Sequence, residues 1–162
     1  KSQYNSGCAP SLRQDWIGGG GVVAAVLFAP PAVAADASQM EANKKTVTAL
    51  YDAALNKKDF DEASKYLGPR YTQHNPGAPD GAEAFVGYVH TMRQRFPELT
   101  VEVKRTVAEG DLVVTHSHFH LVPGDDGLAT ADFWRIADGR IVEHWDVIQQ
   151  VPAQSANANG MV

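Results

Sequence analysis

Side chains that can move protons are concentrated in the last third of this chain. Six of them recur within apolar segments whose alternation is typical of β-strands: His116, His118, His120, Asp132, His144 and Asp146. Carboxylates and imidazoles are the usual general acids and bases near neutral pH. A buried aspartate is rarely left without a partner. We therefore expect any small-molecule chemistry of this protein to occur in this cluster.

The last predicted turn decides which of these residues share a face, because a slip of one residue reverses every side chain. Gly139 fits the left-handed third position of a three-residue loop, 137–139. That loop places Asp132 opposite His144, and Asp146 on the same face. A two-residue Asp-Gly loop would instead separate the two aspartates.

The preceding turn is predicted as a five-residue connection, 123–127, between two strands. It places His118 opposite Asp132, and His116 and His120 on the same face. Cross-strand neighbours lie about 4.5–5.5 Å apart at Cβ, so His118 and Asp132 are expected to form a hydrogen bond. The predicted pocket face is the following set: His116, His118, His120, Asp132, Trp134, His144 and Asp146.

Several of these residues also have purely structural interpretations. His116 and His144 could be satisfied polar residues at a sheet margin, and His120 could be exposed near the loop. The opposite face carries Phe133, Trp145 and Val147 with an Arg-Glu pair. Such a face is typical of a second apolar layer or a subunit contact, and we expect a homodimer.

The elements before the strands have helical periodicity. Predicted helices run from about Ser38 to Asn56, from Asp59 to Leu67, and from Asp80 to Phe96. Residues 71–77 are predicted as an irregular polar segment, and 99–150 as a four-stranded antiparallel meander. The pattern indicates an α+β fold in which three N-terminal helices pack on a curved antiparallel sheet and form a cone with an internal pocket.

Composition limits the class of protein. The 162 residues suffice for one domain, and a net charge of −5 argues against nucleic acid as a partner. The uncharged run Ile17–Ala29 followed by small residues predicts a signal peptide, 1–34, which would make the protein periplasmic or secreted and free of the membrane after cleavage. The apolar run is short for an uncleaved anchor. The predicted domain is 35–152, and the predicted disordered tail is 153–162.

The single cysteine, Cys8, lies within the predicted signal peptide. The remaining domain therefore has no disulfide and no thiol nucleophile. Its chemistry is left to aspartate, glutamate, histidine and tyrosine side chains.

Four strings carry a resemblance to a known family: 71–76 (YTQHNP), 80–85 (DGAEAF), 109–113 (EGDLV) and 138–147 (DGRIVEHWDV). In these the chain resembles the SnoaL-like polyketide cyclases of the nuclear-transport-factor-2-like superfamily, especially the branch of predicted aldol-condensation enzymes. The resemblance covers nearly all of the predicted domain. It implies an α+β cone with a hydrophobic pocket and acid/base catalysis without a cofactor.

The resemblance also implies roles for individual residues. Asp146 matches the catalytic aspartate of the cyclases and would remove a proton alpha to a carbonyl. The developing oxyanion would receive a hydrogen bond from His118, His74 or a protonated Asp132. The residues expected to bind a small hydrophobic carbonyl compound are these: His116, Trp134, His144 and Tyr71. The cyclases place a histidine where this chain has Asp132, which argues against polyketide cyclisation as such.

Two alternatives remain open. The run His116-x-His118-x-His120 near Asp132 could hold zinc or iron, although the resembled family uses no metal and three histidines along one strand span a long distance. The fold also occurs in proteins that bind small ligands without catalysis.

Overall fold

A computed structural model of the chain describes residues 32–162 and contains helices packed on one five-stranded sheet. Its elements are α1 (Ala32–Tyr51), a π-helical turn (Asp52–Lys57), α2 (Phe60–Ser64), β1 (Leu67–Gln73), α3 (Ala82–Arg95), β2 (Thr100–Glu109), β3 (Leu112–His120), β4 (Leu128–Ala137) and β5 (Arg140–Gln150). The predicted signal peptide lies outside the described residues except for its last three, so export stays a prediction. In the described part, no helix has the length and apolarity needed to span a membrane.

The sheet has the order β1-β5-β4-β3-β2, with β2 to β5 forming the predicted antiparallel meander. The prediction of an irregular segment at 71–77 was wrong for its first three residues. They belong to β1, which pairs in parallel with β5 and makes the sheet mixed. Pro69 hid this strand from the sequence pattern, because proline is tolerated on an edge strand but not in a central one.

The three predicted helices are present, but α2 ends at Ser64 rather than at the predicted Leu67, which instead begins β1. Asp59 caps α2 by accepting a 2.9 Å hydrogen bond from the backbone N–H of Glu62, and α3 ends at Arg95, two residues before Pro97. The start of α1 was predicted too late. The helix continues through the alanine-rich residues before Ser38, because alanine is the strongest helix former.

The helices cover one face of the sheet, and the core lies between them. Val47 and Leu50 of α1 are completely or almost completely buried, as are Val113, Trp134 and Ile141 of the sheet. A buried arginine, Arg93, joins the layers by donating to backbone carbonyl groups at Leu55, Pro97 and Leu99. These contacts fix the π-helical turn and the approach to β2, which both supply pocket walls.

The other face of the sheet carries large apolar side chains in partial contact with solvent. Phe133 is 39% exposed and Val147 66% exposed in the single chain. The homodimer predicted from this face stays a prediction. After β5, residues 151–162 contain no helix or strand.

Candidate active site

The turn between β4 and β5 differs from the predicted one. Asp138 and Gly139 form a two-residue loop with φ of 50° and 72°, and Ala137 pairs with Arg140. A bulge at Val142 then inserts one extra residue into β5. Beyond the bulge, Asp132 pairs with Asp146 instead of the predicted His144. His144 pairs with Trp134.

The predicted shared face nevertheless holds. Replacing the three-residue loop by a two-residue loop shifts the register by one position, and the bulge shifts it by one more. A total shift of two positions preserves which face each side chain occupies. Asp132, His144 and Asp146 therefore all line the same cavity.

The register between β3 and β4 was predicted wrongly by an odd number of residues. His118 pairs with Ala129, and Thr115 pairs with Asp132. The cause is Asp125, whose Oδ2 accepts hydrogen bonds from the backbone N–H groups of Leu121 and Val122 and ends β3 early. His116, His118 and His120 thus lie on the face opposite to Asp132.

Each of these three histidines has a partner on that outer face. His116 Nδ1 contacts Arg105, His118 Nε2 contacts the backbone carbonyl of Asp126, and His120 Nδ1 lies 3.1 Å from Asp125 Oδ1. The predicted hydrogen bond between His118 and Asp132 does not exist, and neither His118 nor His116 reaches the cavity.

A cavity of about 130 Å³ separates the helices from the inner face of the sheet. An engineered cavity of about 150 Å³ accepts benzene, so this space suits a ligand with about one ring. The lining is mainly apolar, with a few convergent polar groups, as ligand sites usually are. The walls are formed by Tyr51, Leu55, Gln73, Asn75, Ala78, Phe85, Tyr88, Val89, Met92, Leu99, Phe119, Leu121, Leu128, Thr130, Asp132, Trp134, His144, Asp146 and Ile148.

A hydrogen-bonded chain leads from β1 to the buried carboxyl group of Asp132. Gln73 Oε1 accepts from the backbone N–H of Asn75 at 3.0 Å and lies 2.9 Å from His144 Nδ1. An amide oxygen only accepts, so His144 Nδ1 carries a proton. His144 Nε2 lies 3.2 Å from Asp132 Oδ1, and Thr130 donates to Asp132 Oδ2 at 2.6 Å.

This arrangement leaves one proton to be shared between His144 and Asp132. Either the imidazolium donates to the carboxylate, or a protonated Asp132 donates to the lone pair of His144 Nε2. Both side chains are only 4% exposed, and an isolated charge there would be costly. The pair is therefore a buried proton carrier with no net charge.

The second carboxylate, Asp146, has a different environment. Its Oδ2 accepts a 2.6 Å hydrogen bond from Asn75 Nδ2. Asn75 is oriented by the backbone N–H of Gly77, which donates to Asn75 Oδ1 at 2.7 Å. Asp146 is half-buried and directly opposite Asp132 across the strand pair.

Aromatic side chains hold this polar group in place. The indole of Trp134 stacks on His144 with ring centroids 3.9 Å apart, and its Nε1–H donates to Thr115 Oγ1 at 3.3 Å. Tyr51 packs edge-on against Trp134 at 5.5 Å. Burial, and then the charge of Asp132, raise the pKa of Tyr51 well above its ordinary value, so this phenol stays protonated.

The structure places two further predicted residues away from the cavity. His74 lies on the outer face, where it stacks on Trp145 at 4.6 Å and its Nε2 lies 2.9 Å from Glu143 Oε1. Hydrogen bonds from His74 and Arg135 lower the pKa of Glu143. Tyr71 is buried behind the cavity wall, and its hydroxyl accepts from Gln73 Nε2 at 3.0 Å.

Sequence reasoning missed Gln73 and Asn75, although both stand in a string that it singled out. Tyr71, Gln73 and Asn75 alternate with Thr72 and His74, which is the period of a strand. Recognising that strand would have selected the amides rather than His74. Thr130 and Tyr51 carried no comparable signal, since each looks like an ordinary core position.

Metal-ligand atoms also converge in the cavity. One atom from each of Asp132, His144 and Asp146 lies within 4.8 Å of the other two. In the described part of the chain this group could hold a divalent cation, whereas the three histidines of β3 do not form such a group.

A family model described as the SnoaL-like domain matches residues 47–144, which is more than half of the chain. The protein therefore belongs to the SnoaL-like domain family, as its sequence motifs predicted. A comparison with curated proteins gives no match.

Solved structures with similar folds include wild-type IdmH from Streptomyces antibioticus, described as a candidate polyketide cyclase. It is 28% identical, with a TM-score of 0.57, over 65% of this chain and 91% of IdmH. A protein from Kribbella flavida, described as a candidate ketosteroid isomerase, is 16% identical with a TM-score of 0.59, over 74% and 86%. An NTF2-like protein from Cytophaga hutchinsonii is 18% identical with a TM-score of 0.57, over 66% and 89%. The fold is accordingly NTF2-like.

Proposed function

We propose that this protein is an acid/base enzyme that needs no cofactor and acts on a small hydrophobic ketone or aldehyde through its enolate. The observation that carries the proposal is the position of Asp146, a carboxylate oriented by Asn75 at the wall of an apolar cavity and opposite the Asp132–His144 pair. A base and a proton donor on facing strands are what enolate chemistry requires.

In the proposed reaction, Asp146 takes the proton from the carbon next to the substrate carbonyl. The electrons of the broken C–H bond move into the enolate. Its oxygen then accepts the proton shared by Asp132 and His144, which leaves the hydrogen bond between these two side chains to form the new one. Return of the proton to a different carbon gives isomerisation. Attack of the enolate carbon on a second carbonyl gives an aldol product, with a proton delivered to the new alkoxide.

Family membership supports this class of chemistry, because a SnoaL-like domain and neighbours described as a polyketide cyclase and a ketosteroid isomerase fit an enzyme-like function without a cofactor. The cavity volume favours a smaller substrate than a polycyclic one. The aspartate at position 132, where the cyclases have a histidine, favours a different carbonyl compound as well.

The test is exchange of solvent deuterium into a panel of single-ring and short-chain ketones and aldehydes, followed by NMR. Asp146→Asn keeps the shape of the side chain but removes the base, so exchange should fall by about 10²-fold or more. Asp61→Asn, at an exposed position of α2, makes the same charge change and should exchange at the wild-type rate. Exchange by Asp146→Asn at the wild-type rate would contradict the proposal.

A protein that only binds small molecules is the second candidate. The observation in its favour is the lining itself, which is largely aromatic and aliphatic and closes on a ring-sized space. If the wild-type protein binds these carbonyl compounds without exchanging deuterium, this second function replaces the first.

A further inference from the structure

The charges around the cavity are unbalanced. Asp132 and His144 share one proton, so this pair has no net charge. Asp146 adds one negative charge, and its described hydrogen-bond partner is the neutral amide of Asn75. None of the residues that line the cavity in the described chain is lysine or arginine. The cavity therefore has a net negative charge that no lining side chain neutralises.

The shape and chemistry of the remaining wall favour the opposite charge on a ligand. Five aromatic side chains line the cavity: Tyr51, Phe85, Tyr88, Phe119 and Trp134. The faces of aromatic rings attract cations, and the attraction increases when water is excluded. An apolar ring would fill the space between them, while a charged end would reach the carboxylate.

We propose that the cavity binds small single-ring ammonium ions. The ammonium group donates hydrogen bonds to Asp146, and the ring occupies the space among the five aromatic side chains. Binding of this kind needs only the carboxylate and the cavity, so it goes beyond the proposed enolate chemistry and does not depend on it. Anionic molecules of the same size are excluded, because they would place a second negative charge beside Asp146.

Three ligands of nearly equal size separate charge from shape: benzylamine, benzyl alcohol and benzoate. Their affinities would be measured by calorimetry at neutral pH and physiological salt. Benzyl alcohol can also donate a hydrogen bond to Asp146, but only the ammonium group adds an attraction between opposite charges, so we expect benzylamine to bind at least about tenfold more tightly. Benzoate should show no binding. Absence of benzylamine binding at millimolar concentration, or equal affinity for the amine and the alcohol, would overturn the proposal.

Two variants test whether the preference for the amine over the alcohol arises from the carboxylate of Asp146. Asp146→Asn should remove the preference for benzylamine over benzyl alcohol, because the amide oxygen offers both ligands the same uncharged acceptor. Asp61→Asn alters the total charge equally and should keep the wild-type preference, which excludes general attraction by a negative protein. A preference that survives in Asp146→Asn would refute the assignment. If Asp146→Asn fails to fold, the affinities of the three ligands for the wild-type protein still test whether the cavity prefers an ammonium ion. Loss of deuterium exchange has no bearing on these affinities, so the two proposals fail separately.

Discussion

Asn75 donates its side-chain amide to Asp146 at 2.6 Å, although 71 residues separate the two in sequence. Asn75 follows the end of β1, and Asp146 lies in β5. The orientation of the proposed base is thus set by a residue from another part of the chain, which is itself oriented by a backbone N–H group. Such support is what holds a catalytic group in a productive geometry.

Asn75→Ala should therefore lower kcat/KM by about tenfold, because the carboxylate loses a charge-assisted hydrogen bond and one fixed orientation. The loss should fall on kcat rather than on KM, because Asn75 orients the base, whereas the apolar lining of the cavity binds the substrate. His74→Ala changes the adjacent residue on the outer face and should leave both constants near their wild-type values. An equal loss of kcat in His74→Ala would contradict the orienting role of Asn75.

His144 should carry a proton on Nδ1 throughout the neutral pH range. The reason is that Nδ1 faces Gln73 Oε1, an oxygen that already accepts a hydrogen bond from the backbone N–H of Asn75 and has no proton to donate. Long-range ¹⁵N–¹H NMR spectra of labelled protein distinguish the two ring nitrogens and would show this directly. Gln73→Ala should release the constraint and allow both tautomers. A neutral His144 protonated on Nε2 in the wild type would contradict the assignment.

The sequence predicted correctly that Asp132, His144 and Asp146 line one pocket, but it did not predict correctly which residues pair across the strands. The shared face of Asp132 and Asp146 was correct, although the loop type was not, because the two-residue turn and the bulge at Val142 together preserve the face. A bulge leaves no reliable signal in a strand of alternating residues. The correct face was thus obtained from an incorrect register.

The errors on β3 have a different origin. Local hydrogen bonds from the side chain of Asp125 shorten the strand, and a single sequence does not reveal whether an aspartate in a loop will bond to the backbone. The helices were easier, because caps such as Asp59 act within one turn. Contacts between β1 and β5 depend on pairing between strands that are far apart in sequence. Gln73 and Asn75 were not identified for that reason.

Stability should decrease at alkaline pH because of two buried tyrosines. Burial raises the pKa of Tyr51 and of Tyr71, and the charges of Asp132 and Asp146 act in the same direction. Below about pH 10 both the folded and the unfolded states keep these protons. Above it the unfolded state releases them first, so the free energy of unfolding should fall by about 1.4 kcal/mol per pH unit for each tyrosine.

Urea unfolding between pH 9 and 11 would measure this slope. Tyr71→Phe should reduce the slope of the unfolding free energy against pH by the contribution of one tyrosine. This reduction is expected whatever the effect of the substitution on stability at neutral pH. An unchanged slope in Tyr71→Phe would mean that the folded protein lets this phenol ionise normally.

Two glycines of the loop between β3 and β4 offer a matched pair. Gly124 and Gly127 have φ of 81° and 75°, so alanine is strained at both. A Cβ at Gly124 would meet no atom within 4 Å, whereas a Cβ at Gly127 would overlap the carbonyl oxygen of Phe119 and lie 2.6 Å from His118 Nε2. Gly127→Ala should therefore destabilise the protein by about 1–3 kcal/mol more than Gly124→Ala. Thermal or urea unfolding of the two variants would measure the difference, and equal losses would show that backbone strain alone matters.

Because β1 lies at the edge of the sheet, the protein can lose activity under conditions in which the rest of the fold stays intact. Among the strands of residues 32–162, β1 pairs only with β5, and its register is irregular between Leu67 and Thr72. Edge strands open locally at a lower free energy than the central strands that they border. Partial detachment of β1 would carry Gln73 and Asn75 away from His144 and Asp146 while the antiparallel meander stays folded. Gentle heating should thus inactivate the protein before its circular dichroism changes, and cooling should restore activity without refolding of the core.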